Sequence, residues 1–167
     1  MRSRIEPVAK VRAAPLAEVD FTPFGRHVRL AEGGAGVVSA RGDGWTDLAT
    51  KHPLLGMPPH LGLTVGSPAP FVTRRMERHL LTEEAILCTD APIVLAVAPA
   101  SAADAPAAAD VRAVVLEPGD VVVLAEGTWH DACHGVRGEA RYYWLAREVA
   151  GDTVWVDLVN GPVEVTC

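Results

Sequence analysis

The sequence predicts an all-β domain, a small barrel or sandwich, and three observations carry that reading. Thirteen prolines and fifteen glycines interrupt the 167-residue chain too often for long helices. Short β-type runs recur at near-regular spacing between turn signals. Two separated segments, Glu77-Arg78-His79 and Gly127-Thr128-Trp129-His130, offer metal-type ligands on such runs. That pairing suits a barrel with a polar site inside it.

Taken in order, strands are predicted near 26–30, 36–40, 61–65, 71–79, 85–88, 93–98, 111–116, 121–124, 140–147, 153–158 and 163–166. One short helix is expected at 15–19, ahead of Phe21-Thr22-Pro23-Phe24-Gly25. The alanine-rich stretch 100–110 is broken by Pro106 and reads as an exposed loop between strands. The length fits one domain. Its barrel core is expected at about 61–158, with strands and loops of 1–60 packing on it.

Composition narrows the function. Hydrophobic residues at 49% and charged residues at 22% give the balance of a globular protein with a real core. A net charge of −6 with no basic stripe argues against a nucleic-acid partner. The basic start, Met1 to Lys10, has no apolar run behind it and does not read as a signal peptide. The longest apolar run, near 93–100, is too short to span a bilayer, so no membrane role is expected and the cytoplasm is the expected location. Cys88, Cys133 and Cys167 are odd in number with no CxxC spacing, which fits reduced thiols.

The chemistry concentrates in two places. Alternation along 71–79 puts Thr73, Arg75, Glu77 and His79 on one face and Val72, Arg74, Met76 and Arg78 on the other. Neither face is apolar, so a barrel strand here must carry charge inward, which is costly unless the charge is paired or bound to a metal. Along 128–134, Thr128, His130, Ala132 and His134 share a face, after a turn at Gly127 that tolerates positive φ. Glu83 and Glu84 point to opposite faces, so only one can serve the site. Arg75 is a candidate for bidentate binding of a substrate carboxylate. One of Tyr142 and Tyr143 must face inward; Tyr143 and His134 are taken as further substrate-binding candidates. Cys133 reads as a small buried thiol.

These segments resemble the paired motifs of the cupin superfamily. Gly119, five residues, Ala125-Glu126-Gly127, two residues, His130, three residues and His134 follow the spacing of the second cupin motif, with Ala125 in the place of proline and His134 in that of asparagine. In the first motif, Glu77 and His79 stand in the His-x-His positions, and Glu83 or Glu84 at the acid. Within cupins the chain is similar to the ureidoglycolate lyase family. The shared features are Phe21-Thr22-Pro23-Phe24-Gly25, Glu77-Arg78-His79, the run from Ile93 to Pro99, and Gly127-Thr128-Trp129-His130. It differs at Leu80, where that family has proline, at Glu84, where it has glutamine, and along Asp131–Gly135.

The resemblance implies a jelly-roll barrel and an enzyme that splits a carbinol C–N bond to give glyoxylate and urea. It implies catalytic Glu77, His79 and His130, and a divalent Mn, Ni, Fe or Zn ion held by Glu77, His79, Glu84 and His130. It also implies a small carboxylic acid substrate and a homodimer. Two alternatives stay open: another metal-dependent cupin enzyme, such as an isomerase or dioxygenase, and a non-catalytic cupin that binds a small ligand.

Overall fold

A computed structural model describes residues 8–167; the basic segment 1–7 lies outside the described residues. The strands are β1 (Ala9–Arg12), β2 (Ala14–Pro15), β3 (Gly25–Arg29), β4 (Val37–Gly42), β5 (Trp45–Thr50) and β6 (His60–Gly66). They continue as β7 (Phe71–Thr73), β8 (Arg75–Arg78), β9 (Glu84–Cys88), β10 (Ile93–Ala98), β11 (Arg112–Leu116) and β12 (Asp120–Leu124). The last are β13 (Trp129–His130), β14 (His134–Gly135), β15 (Ala140–Ala146), β16 (Val154–Asp157) and β17 (Val163–Thr166). Among the described residues, helix is confined to two single 3₁₀ turns, Leu16–Glu18 and Ala108–Asp110. The predicted all-β jelly-roll barrel is the fold that forms, and no helix among the described residues is long and apolar enough to cross a membrane.

Two sheets build the barrel. One runs β16-β8-β13-β10-β11-β2, with β14 also on β10, and the other runs β3-β12-β9-β15-β6. A third, β1-β17-β7, forms an additional layer. Strand β10 explains why 93–98 is one unbroken apolar run. Ile93, Leu95 and Val97 pack into the barrel with Ile86, Val122, Leu124 and Tyr142. Val94, Ala96 and Ala98 face the other way, against Phe71, Met76, Trp129, Val163 and Val165. A strand covered on both sides has no place for the polar half of an alternating pattern. Full burial of each large side chain here contributes roughly 1.5–3 kcal/mol.

Three expectations change. The single strand at 71–79 divides at Arg74: β7 pairs with β17, whereas β8 pairs with β16 and β13. The helix at 15–19 shrinks to the 3₁₀ turn, because β2 already pairs with β11 at Pro15. The segment before residue 60 does more than pack on the barrel, since β3 pairs with β12 along its whole length and is an edge strand of the five-stranded sheet. The β4–β5 hairpin was legible only in its first half.

Gly62 shows how the interior is fitted. A Cβ at this position would lie 1.9 Å from the Trp144 ring, its cross-strand neighbour. The indole therefore occupies the space a side chain would need, inside the cavity described next.

Candidate functional site

The two motif segments are fastened together by backbone. His130 on β13 is the direct cross-strand partner of Glu77 on β8, so their side chains emerge side by side. Gly127, at φ +82°, donates its N–H to the carbonyl of His79 at 2.6 Å. The turn glycine thus holds the end of one motif against the other. Across the barrel, β9 alternates Glu84, Ile86 and Cys88 toward the interior, which delivers Glu84 to the same point.

The four groups converge. His130 Nε2 lies 2.9 Å from Glu84 Oε2 and 3.5 Å from Glu77 Oε1. His79 Nε2 lies 3.2 Å from Glu84 Oε2. Glu77, His79 and His130 each offer a ligand atom within 4.8 Å of the others. Short as the contacts are, Glu84 Oε2 and His130 Nε2 are buried and neither has an aligned hydrogen-bond partner. Donors crowded together without aligning on one another have the arrangement of ligands around a shared centre, as well as that of a buried ion pair. Ligands about 2.1 Å from one ion sit about 3.0–3.4 Å apart, and these spacings fall in or near that range. Two imidazoles and two carboxylates suit Mn, Fe, Ni or Zn, and the donor types do not choose among them.

The outer atoms of both histidines are held as well. His130 Nδ1 is 3.3 Å from the Thr128 carbonyl, which can only accept, so Nδ1 carries the proton and Nε2 faces the centre. His79 Nδ1 is 3.1 Å from Thr153 Oγ1 and 3.9 Å from Asp152 Oδ2. Buried Asp152 accepts from the N–H groups of Leu80 and Leu81 at 2.8 and 3.1 Å. It clamps the turn that follows His79.

Charge is concentrated at this point. Burial opposes a proton on His130, but the attraction of Glu84, helped by Glu77, outweighs it and lifts its pKa to about 10. Burial likewise opposes ionisation of Glu84, but His130 and then His79 outweigh it and pull the pKa down to about 2. The sign for stability follows by linkage. The His130 contribution is complete below its ordinary 6.5 and is lost as pH rises toward about 10. The Glu84 contribution is complete above its ordinary 4.5 and is lost as pH falls toward about 2. Metal-free protein is therefore expected to melt at its highest temperature between about pH 4.5 and 6.5. Calorimetry should show the midpoint falling from pH 7 to 9.5. A divalent ion must displace the His130 proton, so its affinity should rise over the same range.

The centre opens into a cavity of about 710 Å³ walled by Thr64, Ile86, Tyr142, Trp144 and Trp155, with Asp131, Arg147 and Glu148 as further polar groups. Of the expected residues, Glu77, His79, Glu84 and His130 all line it, and Glu83 does not. Glu83 is paired with Arg26 outside. Three expected substrate-binding residues fall elsewhere. Arg75 is exposed; its guanidinium donates to the Trp155 carbonyl at 2.8 Å and pairs with Asp157 at 3.2 Å. Tyr143 is exposed beside Leu63 on β6, and alternation sends Tyr142 inward instead. His134 stacks on Phe71 at 3.7 Å and hydrogen-bonds Ser67, because β14 turns it away from the barrel. Continued alternation would put Asp131 on the face opposite His130, yet β13 ends at His130 and Asp131 lines the cavity.

A family model described as ureidoglycolate lyase matches residues 8–165. Among curated proteins none matches the sequence. Among solved structures, a dTDP sugar isomerase from Desulfovibrio desulfuricans G20 is similar over 83% of this chain and 88% of its own, at 11% identity and a TM-score of 0.56. The TDP-quinovose 3,4-ketoisomerase from Campylobacter jejuni covers 71% of this chain and 88% of its own, at 8% identity and a TM-score of 0.47. At such identities the first likeness speaks to the fold alone and the second carries no argument. With the family match spanning nearly the whole chain, and with a cupin barrel built around the two motifs, the chain belongs to the ureidoglycolate lyase family.

Proposed function

We propose that the protein cleaves the carbinol C–N bond of ureidoglycolate, giving glyoxylate and urea. The observation that supports this reading most is the meeting of two imidazoles and two carboxylates, with buried unpartnered atoms, at the floor of a cavity in a barrel of this family. Glu77, His79, Glu84 and His130 would hold a divalent cation. When bound, such an ion would supply Lewis-acid polarisation of the substrate hydroxyl.

The remaining work falls to the chain. Glu77 approaches His130 through Oε1, which leaves its second oxygen to take the hydroxyl proton. As that proton leaves, the oxygen electrons form the carbonyl of glyoxylate, the C–N bond breaks, and its electron pair passes to the urea nitrogen. That nitrogen needs a proton. Asp131 lines the cavity, and burial raises its pKa despite hydrogen bonds from Thr73 and the Ala132 N–H. It is the carboxyl suited to carry the proton. Replacing it in D131N is expected to lower kcat by about 100-fold with little change in KM, checked by steady-state glyoxylate release. Trp144, Trp155 and Ile86 keep the cavity walls apolar.

Purified protein loaded separately with Mn, Ni, Fe and Zn should release glyoxylate from ureidoglycolate. Absence of release with all four removes the assignment. Glu84 as a fourth donor also suits a different metal-dependent reaction on a small hydroxy or keto acid. That reading gains if the metal binds at one equivalent and ureidoglycolate is left intact.

A further inference from the structure

We infer that Arg147, at the end of β15, is the seat for the substrate's carboxylate. The inference rests on the proposed reaction for the identity of the substrate, and on the cavity alone for its charge. The floor carries Glu77 and Glu84, and the walls add Asp131 and Glu148. A divalent ion on the floor is balanced by its two carboxylate ligands. The centre then presents no net positive charge to an incoming anion. A small carboxylate entering this cavity therefore needs another cation.

Arg147 is the one lysine or arginine among the residues that line it. The nearby arginines are already committed: Arg26 to Glu83, Arg75 to Asp157, and Arg78 to the carbonyls of Ser101 and Ala103 and the face of Trp129. Arg147 has no carboxylate partner among the described residues; its guanidinium is exposed and reaches the sulfur of Met57 at 3.8 Å, in an adjoining cavity that Arg147 lines together with Glu83 and Glu126. Its backbone is nevertheless fixed. The Arg147 N–H donates to Thr82 Oγ1 at 3.1 Å, and the preceding Ala146 pairs with Glu84. An unpaired, exposed guanidinium on a pinned backbone at the rim shared by the two cavities is free to swing inward and grip a planar anion bidentately. Arg75, the candidate the sequence offers for this role, is committed to Asp157 and the Trp155 carbonyl, which leaves Arg147 as the cation that lines the cavity.

The test compares glycolate with its neutral amide, glycolamide, binding to metal-loaded wild type, R147Q and R147K, followed by NMR titration. Glycolate affinity should fall about 10- to 100-fold in R147Q and partly recover in R147K. Glycolamide affinity should change less than about 2-fold. Unchanged glycolate binding in R147Q, equal weakening of both probes, or wild type that binds glycolate no better than glycolamide would each overturn the inference. Glycolate binding that depends on Arg147, in protein that leaves ureidoglycolate intact, would remove the reaction proposed above and uphold this one.

Discussion

Replacing His130 with alanine is expected to lower glyoxylate release by on the order of 10³-fold. The reason is its place in the cluster. His130 Nε2 is the atom closest to Glu84 and also faces Glu77. Removing it takes one donor from the centre and leaves Glu84 buried beside a second carboxylate. Breaking a buried charge pair from one side costs about 3–5 kcal/mol, so metal-free H130A should also be markedly less stable. The double variant H130A/E84Q separates the two effects. It should regain most of the lost stability in urea unfolding and none of the activity. Equal instability of the single and double variants would mean that Glu84 is not the source of the strain.

Trp129→Ala is expected to cost about 3–5 kcal/mol. The neighbouring side chains Trp129 and His130 point to opposite sides of β13. The histidine enters the barrel, and the indole fills the layer between β10 and β17, with the Arg78 guanidinium 4.2 Å from its ring. Its N–H finds no partner, so W129F should cost far less. A lowered urea midpoint at constant slope identifies lost packing. Because Trp129 backs the strand that carries His130, W129A should also weaken metal binding, whereas W129F should not.

The motif spacing in the sequence was enough to find the four floor residues, because alternation and the glycine turn constrain short strands tightly. Glu84 over Glu83 followed once β9 had a register, which adjacent residues alone do not provide. The errors have separate causes. Arg75 shares the β8 face of Glu77 but lies at the strand end, where it pairs with Asp157. The choice of Tyr142 over Tyr143 needs the phase of β15, and His134 lies past a turn that ends the alternation from His130. The break at Arg74, the partner strand of β15 and the turn after His130 are each set by long-range pairing. Arg147 and Asp152 escaped for a related reason. Both act from outside the motif strands, and no spacing rule connects residues near 150 to His79. The apolar run at 93–98 reads as a strand from the sequence, but its burial on both faces depends on the third sheet, which long-range pairing of β17 with β1 and β7 creates.

The most direct test is the rate of glyoxylate release from ureidoglycolate as metal is returned to chelator-treated protein. The account predicts no turnover at zero metal, a linear rise, and a break at about one equivalent per chain, the stoichiometry of a single four-donor centre. Full turnover by metal-free protein, or none at any equivalent of Mn, Ni, Fe or Zn, would contradict it.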